Sequence, residues 1–188
     1  YTQWNKEIKF KTKEFSVKSS EVGKNGWRYE KYAGKVYKFY YKNGEKLTDL
    51  TNVLKLKKGN KKLKIVVNRA ACCVTIYAYD SQKKDYIIPV KTCTVSVGRD
   101  TATTSGAAGL SISSSYTPLG SYSISSNGTA AKYSLKPMGE PDGSTVYARW
   151  ASHVVGNVYF HAIAVGSQSH YALRASNYNK LGSAASAG

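Results

Sequence analysis

A chain of 188 residues, 41% hydrophobic and 21% charged, is long enough for one substantial core or one core with a small appendage, and its composition excludes wholesale disorder. Its 28 Lys and Arg against 11 Asp and Glu give a formal net charge of +17, and no run of 18 apolar residues could cross a membrane as a helix. Sixteen Tyr, four Phe and a single Met, among many Thr, Ser, Val and Gly, favour strands over helices and predict a mainly β protein.

The basic character belongs to the first third. Residues 1–69 carry 19 Lys and Arg and 6 Asp and Glu, a net of +13, whereas residues 70–188 carry 9 and 5, a net of +4. Clustered lysines concentrate anionic partners, and an anionic cell wall or membrane surface fits this charge. Nucleic acid is disfavoured, because no zinc finger or aromatic RNA-binding pattern accompanies the lysines. A solvated sheet face is the plainer reading of the same charge. Tyr1 follows no basic-then-apolar leader, and the missing initiator Met points to a piece of a longer chain.

In residues 1–60 the stretch "NGWRYEKYAGKVYKFYYKNGEKLTD" sets Trp27, Tyr29, Tyr32, Val36, Tyr37, Phe39 and Tyr41 in near alternation. Asn25-Gly26 and Asn43-Gly44 predict tight turns, since both central positions of such a turn favour positive φ, and Ala33-Gly34 reads as a break. The expectation is a small N-terminal β-hairpin unit. It resembles the Gly-Trp/Tyr-rich repeats with which bacterial surface proteins hold wall polymers, and it equally fits a plain three-stranded packing unit.

"LKKGNKKL", residues 56–63, is a polar, basic break that separates this unit from a second domain, residues 61–188. Strands are expected over 63–68, 74–79 and 86–97, with turns at Asn68-Arg69 and in "DSQKKD". Pro89 restricts its strand to an edge, a bulge or a ladder position that needs no N–H. Among Cys72, Cys73 and Cys93, a bridge from Cys93 to one of the adjacent pair and three reduced thiols both remain open. Residues 98–115 form a long small-residue segment of the kind that serves as a functional loop or lid. Thr117-Pro118-Leu119-Gly120 predicts a turn feeding a strand with Tyr122 and Ile124. A further strand is expected over 146–150, a buried strand over 157–165, and a short helix over 171–180 with Gly182 beyond its end.

His161 falls in the middle of that apolar run, where a titratable group is a candidate general base. A hydrogen-bonded core histidine is the plain alternative. His153 and His170 offer no metal spacing with it, and neither a zinc pattern nor a phosphate-binding glycine loop occurs, so no metal or cofactor is expected. Only five acidic residues follow residue 69, which disfavours a carboxylate pair and leaves a His-assisted nucleophile as the best enzymatic class.

The order of "NRAACCVTIYAYDSQKKDYIIPVKTCTVSVG", "TPLGSYSI", "YFHA" and "YNKLGSAASAG" resembles an L,D-transpeptidase (YkuD-type) catalytic domain over about residues 63–188. The resemblance implies a β-sandwich with a short helix, located outside the cell at the wall or surface of a bacterium. It makes His161 the general base and places Ser186 and Gly188 in the signature loop, with the Gly188 backbone in the oxyanion hole. Tyr159 and Tyr147 would contact substrate. Ala187 stands where the family has His, and the nucleophilic Cys would be the residue after Gly188. The implied activity cross-links peptidoglycan stem peptides through a Cys thioester, a transferase reaction of cell wall biogenesis and cell shape that needs no cofactor. The expected partners are stem peptides and the anionic wall, with no nucleic acid and no integral membrane segment, and the expected state is a monomer. Ala187 and the basic aromatic unit also motivate an alternative, a non-catalytic wall-binding protein on a degenerate transpeptidase fold.

Overall fold

A computed structural model of the chain describes residues 25–56, 62–98, 116–124, 132–139, 143–156, 158–168 and 174–186. Regular structure among them is almost entirely β, as the composition predicts. The chain divides into two compact units, one comprising Tyr1–Lys62 with Ala78–Val90, the other Leu63–Tyr77 with Lys91–Gly188.

In the first unit, β1 (Gly26–Tyr32), β2 (Lys35–Lys42) and β3 (Glu45–Lys46) form an antiparallel sheet in that order. Ala33-Gly34, at φ 46° and 83°, joins the first two strands, and Asn43-Gly44, at 54° and 84°, joins the second two. Two consecutive positive φ values give the turn twist that matches a β-hairpin. Gly26, expected to sit in such a turn, is already the first residue of β1 and pairs with Tyr41. The side chain of Asn25 accepts the N–H of Asn43, which closes the open end of the sheet. Leu50 is fully buried and donates its N–H to Val90 O at 2.8 Å. Around it the buried apolar residues of this unit are Ala78, Ile87, Ile88 and Val90.

β4 (Leu63–Asn68), β5 (Cys73–Asp80) and β6 (Asp85–Thr94) form a second sheet in chain order. Pro89 lies in β6, an edge strand of that sheet, where a missing N–H is tolerated. The expected strand over 86–97 divides, because the chain leaves the ladder after Thr94 and resumes as β7 (Val97–Gly98) against a different partner. Cys72, Cys73 and Cys93 are all free, with Cys72 buried.

The remainder of the second unit holds β8 (Lys132–Gly139), β9 (Thr145–Val155) and β10 (Val158–Phe160), with β9 in the centre. The short helix α1 (Ala175–Tyr178) leads to β11 (Ala184–Ser186), which runs parallel to β7. Val97, Tyr116, Val146, Ala148, Ala151, Val158, Ala164 and Val165 supply the buried apolar side chains. The expected strand with Tyr122 and Ile124 does not form. The Tyr122 hydroxyl folds back to donate to Leu119 O at 2.8 Å, and Gly120, at φ 141°, leaves only the space that a missing Cβ allows beneath that ring. The expected loop over 98–115 lies outside the described residues apart from Gly98. None of the described helical residues makes a helix long and apolar enough to cross a membrane.

Candidate functional site

His161 follows directly on β10 and is exposed. The buried strand expected over 157–165 is thus shorter than its apolar sequence implies. β10 pairs with β9 only as far as Phe160 opposite Ser152, with a register shift between Val158 and Tyr159. Beyond it the chain stays attached to β9 through single bonds: Ala162 N–H donates to Arg149 O at 3.0 Å, and Val165 exchanges two bonds with Tyr147 at 2.8 and 2.9 Å. Apolar burial resumes only at Ala164 and Val165. Each of these bonds is a backbone bond, so the segment is held in place while its side chains vary in exposure.

The imidazole of His161 has its Nδ1 at 2.7 Å from Ala162 O. A carbonyl oxygen only accepts, so Nδ1 carries the proton in the neutral ring and Nε2 is left as the basic nitrogen. The adjacent backbone sets this tautomer. Tyr159 packs its ring 5.0 Å from that of His153, with the Lys136 ammonium 4.6 Å above it. Tyr147, through its backbone bridge to Val165, belongs to the same sheet. Three of the five site residues expected from sequence therefore share the β8–β9–β10 framework.

Ser186 lies elsewhere, as the last residue of β11, opposite Gly98 on β7. Its approach is built bond by bond. Gly182 N–H donates to Val95 O at 3.0 Å, Val97 N–H to Ser183 O at 3.3 Å, and the Ser96 hydroxyl to the same carbonyl at 3.1 Å. Gly98 N–H in turn donates to Thr117 Oγ1 at 2.8 Å, which ties in the "TPLG" turn. Gly182 takes φ 80°, beyond the end of α1, a conformation that favours glycine. Gly188 and Ala187 lie outside the described residues.

α1 connects the two parts of this framework. The side-chain amide of Asn177 donates to Ala164 O, three residues after His161, at 3.4 Å. The Arg174 stem lies 3.7 Å from where a Cβ on Gly166 would stand. The expected helix over 171–180 is a single turn among the described residues, with no side-chain cap at its start. Its tie to Ala164 crosses 13 residues, a span with no sequence signature.

Two lysines of the basic aromatic sheet, Lys38 and Lys46, use their charges internally. On one face, Glu30 accepts from Tyr32 at 2.6 Å, from Tyr41, and from Lys46 at 2.6 Å, and the Lys46 ammonium lies 3.9 Å from the Phe39 ring centre. Burial works against ionised Glu30, but hydrogen bonds from Lys46, Tyr32 and Tyr41 outweigh it and lower its pKa. Burial likewise opposes the charge of Lys46, and its bonds to Glu30 and Tyr32 prevail, pushing it up to about 12. On the other face, the Tyr29 hydroxyl lies 2.6 Å from both Asp80 and Gln82, and Lys38 pairs with Asp80 at 3.3 Å while lying over the rings of Trp27 and Tyr29. Asp80 is only 3% exposed. Desolvation raises its pKa, and the bonds from Tyr29, the Gln82 backbone and Lys38 more than reverse that, so it is lowered.

Among the described residues no group of three or more His, Cys, Asp or Glu gathers as a metal site. No protein-family model, no curated protein and no solved structure matches this chain.

Proposed function

We propose that residues 61–188 form the acyl-transfer domain of a peptidoglycan L,D-transpeptidase, acting outside the cell at the bacterial wall. One observation carries this reading: the "ASNYNKLGSAAS" stretch, residues 175–186, is an anchored helix, turn and strand, linked by Asn177 to the segment that holds His161. Small residues along that approach suit a tight, nucleophile-bearing turn, where bulk would obstruct an oxyanion site.

A cysteine at the position after Gly188 supplies the nucleophile in this mechanism. His161 Nε2 takes the thiol proton, and the thiolate attacks the carbonyl between the third and fourth stem residues. A C–S bond forms as the C–N bond breaks. The proton passes from His161 to the departing D-Ala amine, leaving a thioester. An amine from a neighbouring stem then attacks and gives its proton to His161; the new C–N bond forms as the C–S bond breaks, and the departing thiolate takes that proton back, so the thiol is restored with the cross-link made. Backbone N–H groups at the turn hold the negative oxygen at each stage. The net positive first unit favours residence on an anionic wall.

The test is acylation of the protein, including the residue after Gly188, by a stem tetrapeptide. Intact mass should rise by the acyl tripeptide, and His161→Ala should remove the adduct. A residue other than Cys after Gly188, or undiminished acylation in the variant, overturns the reading.

A further inference from the structure

β9 keeps its partners on both sides of residue 150. Arg149 is opposite Leu135, Ala151 is opposite Tyr133, and Arg149 O accepts the N–H of Ala162 from the other neighbour. Between them Trp150 sits at φ 55°. Of the six non-glycine residues with positive φ among the described residues, five lie in turns and Trp150 alone lies within a strand. The buried positions of β9 run Val146 and Ala148, then Ala151, so the alternation slips by one at Trp150. An unbroken alternation would bury residue 150, but its side chain is 72% exposed.

A bulky residue in the left-handed region is strained, and the ladder bonds on either side hold it there. Burial returns little at such exposure. Glycine would meet the backbone requirement without strain. A strained, exposed indole beside the backbone that carries His161 is therefore better explained by a contact made in a complex than by the fold alone.

We propose that Trp150 is a stacking platform for a pyranose ring of the glycan that bears the stem peptide, so that the site reads sugar as well as peptide. This rests on the transpeptidase reading of residues 61–188. An exposed indole offers a plane, and the flat C–H face of a pyranose ring needs only a plane, whereas an apolar amino-acid side chain needs a concave pocket. Ala162, bonded to Arg149 next to Trp150, is small and exposed, so the ladder neighbour adds no wall.

The experiment compares wild type, Trp150→Gly and Trp150→Phe in the chain extended past Gly188. Binding of a β-1,4-linked N-acetylglucosamine tetramer is read by calorimetry, and acylation by a disaccharide tetrapeptide and by the bare tetrapeptide is read as KM and kcat. Trp150→Gly should bind the tetramer about tenfold more weakly, and Trp150→Phe should keep most of the affinity. The glycine variant should raise KM about tenfold for the disaccharide donor alone, with kcat unchanged for both donors. Its melting temperature should match or exceed wild type, which separates lost binding from lost folding. Tetramer affinity unchanged in Trp150→Gly, or no binding by wild type, overturns the proposal. Sugar binding that depends on Trp150 without acylation of any variant supports the platform and overturns the transpeptidase reading instead.

Discussion

At the level of single residues, Asp80 and His161 show how differently two polar groups are treated. Asp80 is buried and satisfied by Tyr29, Lys38 and the Gln82 backbone, so removing it strands a lysine that is itself largely buried. Asp80→Ala should lower the unfolding free energy by about 2–3 kcal/mol, measured by urea titration of the intact chain; an unchanged midpoint would show that these bonds add no stability. "YDSQKKD" reads as a hydrophilic separator because its main partner, Tyr29, lies 51 residues upstream, and local pattern has no access to such a pairing. His161 was legible as a candidate base from its apolar setting, but its exposure was not. The apolar neighbours Ala164 and Val165 are buried by their backbone attachment to β9, and the histidine between them and β10 is not. Trp150 left no signal of its own, because β9 also holds the apolar run Val146-Tyr147-Ala148 and the apolar pair Val154-Val155.

At the level of elements, the turns and strand cores were the most legible features. Asn43-Gly44 announces its turn by composition, and β4 matches its expected span from Leu63 to Asn68. Ala33-Gly34 was legible only as a break, since alanine rarely adopts φ 46° and the hairpin imposes it. The strand through Tyr122 failed because a side-chain bond within its own turn won over pairing. The charged groups bonded on the two faces of the β1–β2–β3 sheet, Glu30 and Lys46 on one and Asp80 of β5 on the other, also set a pH response. Glu30 and Asp80 have pKa values lowered from their ordinary 4.5 and 3.8, so the stability they add is present above those values and is lost as pH falls through the lower folded ones. Lys46, raised from 10.5 to about 12, adds stability that is present below 10.5 and is lost as pH rises through 12. Urea midpoints should therefore hold level from roughly pH 5 to 10 and fall below about pH 4, and Glu30→Gln with Asp80→Asn should flatten the acid limb. A midpoint that rises on acidification from pH 5 to 3 would count against these assignments.

For the whole molecule, a net charge of +17 means that the proposed association with an anionic wall would act at long range and be screened by salt. Co-sedimentation with purified sacculi should be strong at about 50 mM salt and largely lost at about 500 mM; binding that ignores salt would assign retention to another interaction. The mainly β class was legible from tyrosine, threonine and valine content, whereas acyl transfer rests on the order of motifs and is a proposal. The link from α1 to the His161 segment and the docking of β11 on β7 were not legible, because both are backbone or amide contacts that many sequences can make. In the proposed mechanism His161 serves a thiolate carried just beyond the β11 approach. The most direct test of that role is intact mass spectrometry of the chain extended past Gly188, incubated with a stem tetrapeptide, beside the His161→Ala variant. The wild type should carry a hydroxylamine-sensitive acyl-tripeptide adduct, formed at least ~100-fold more slowly by the variant at an unchanged melting temperature. No adduct on the wild type, or equal rates in both, would contradict the mechanism.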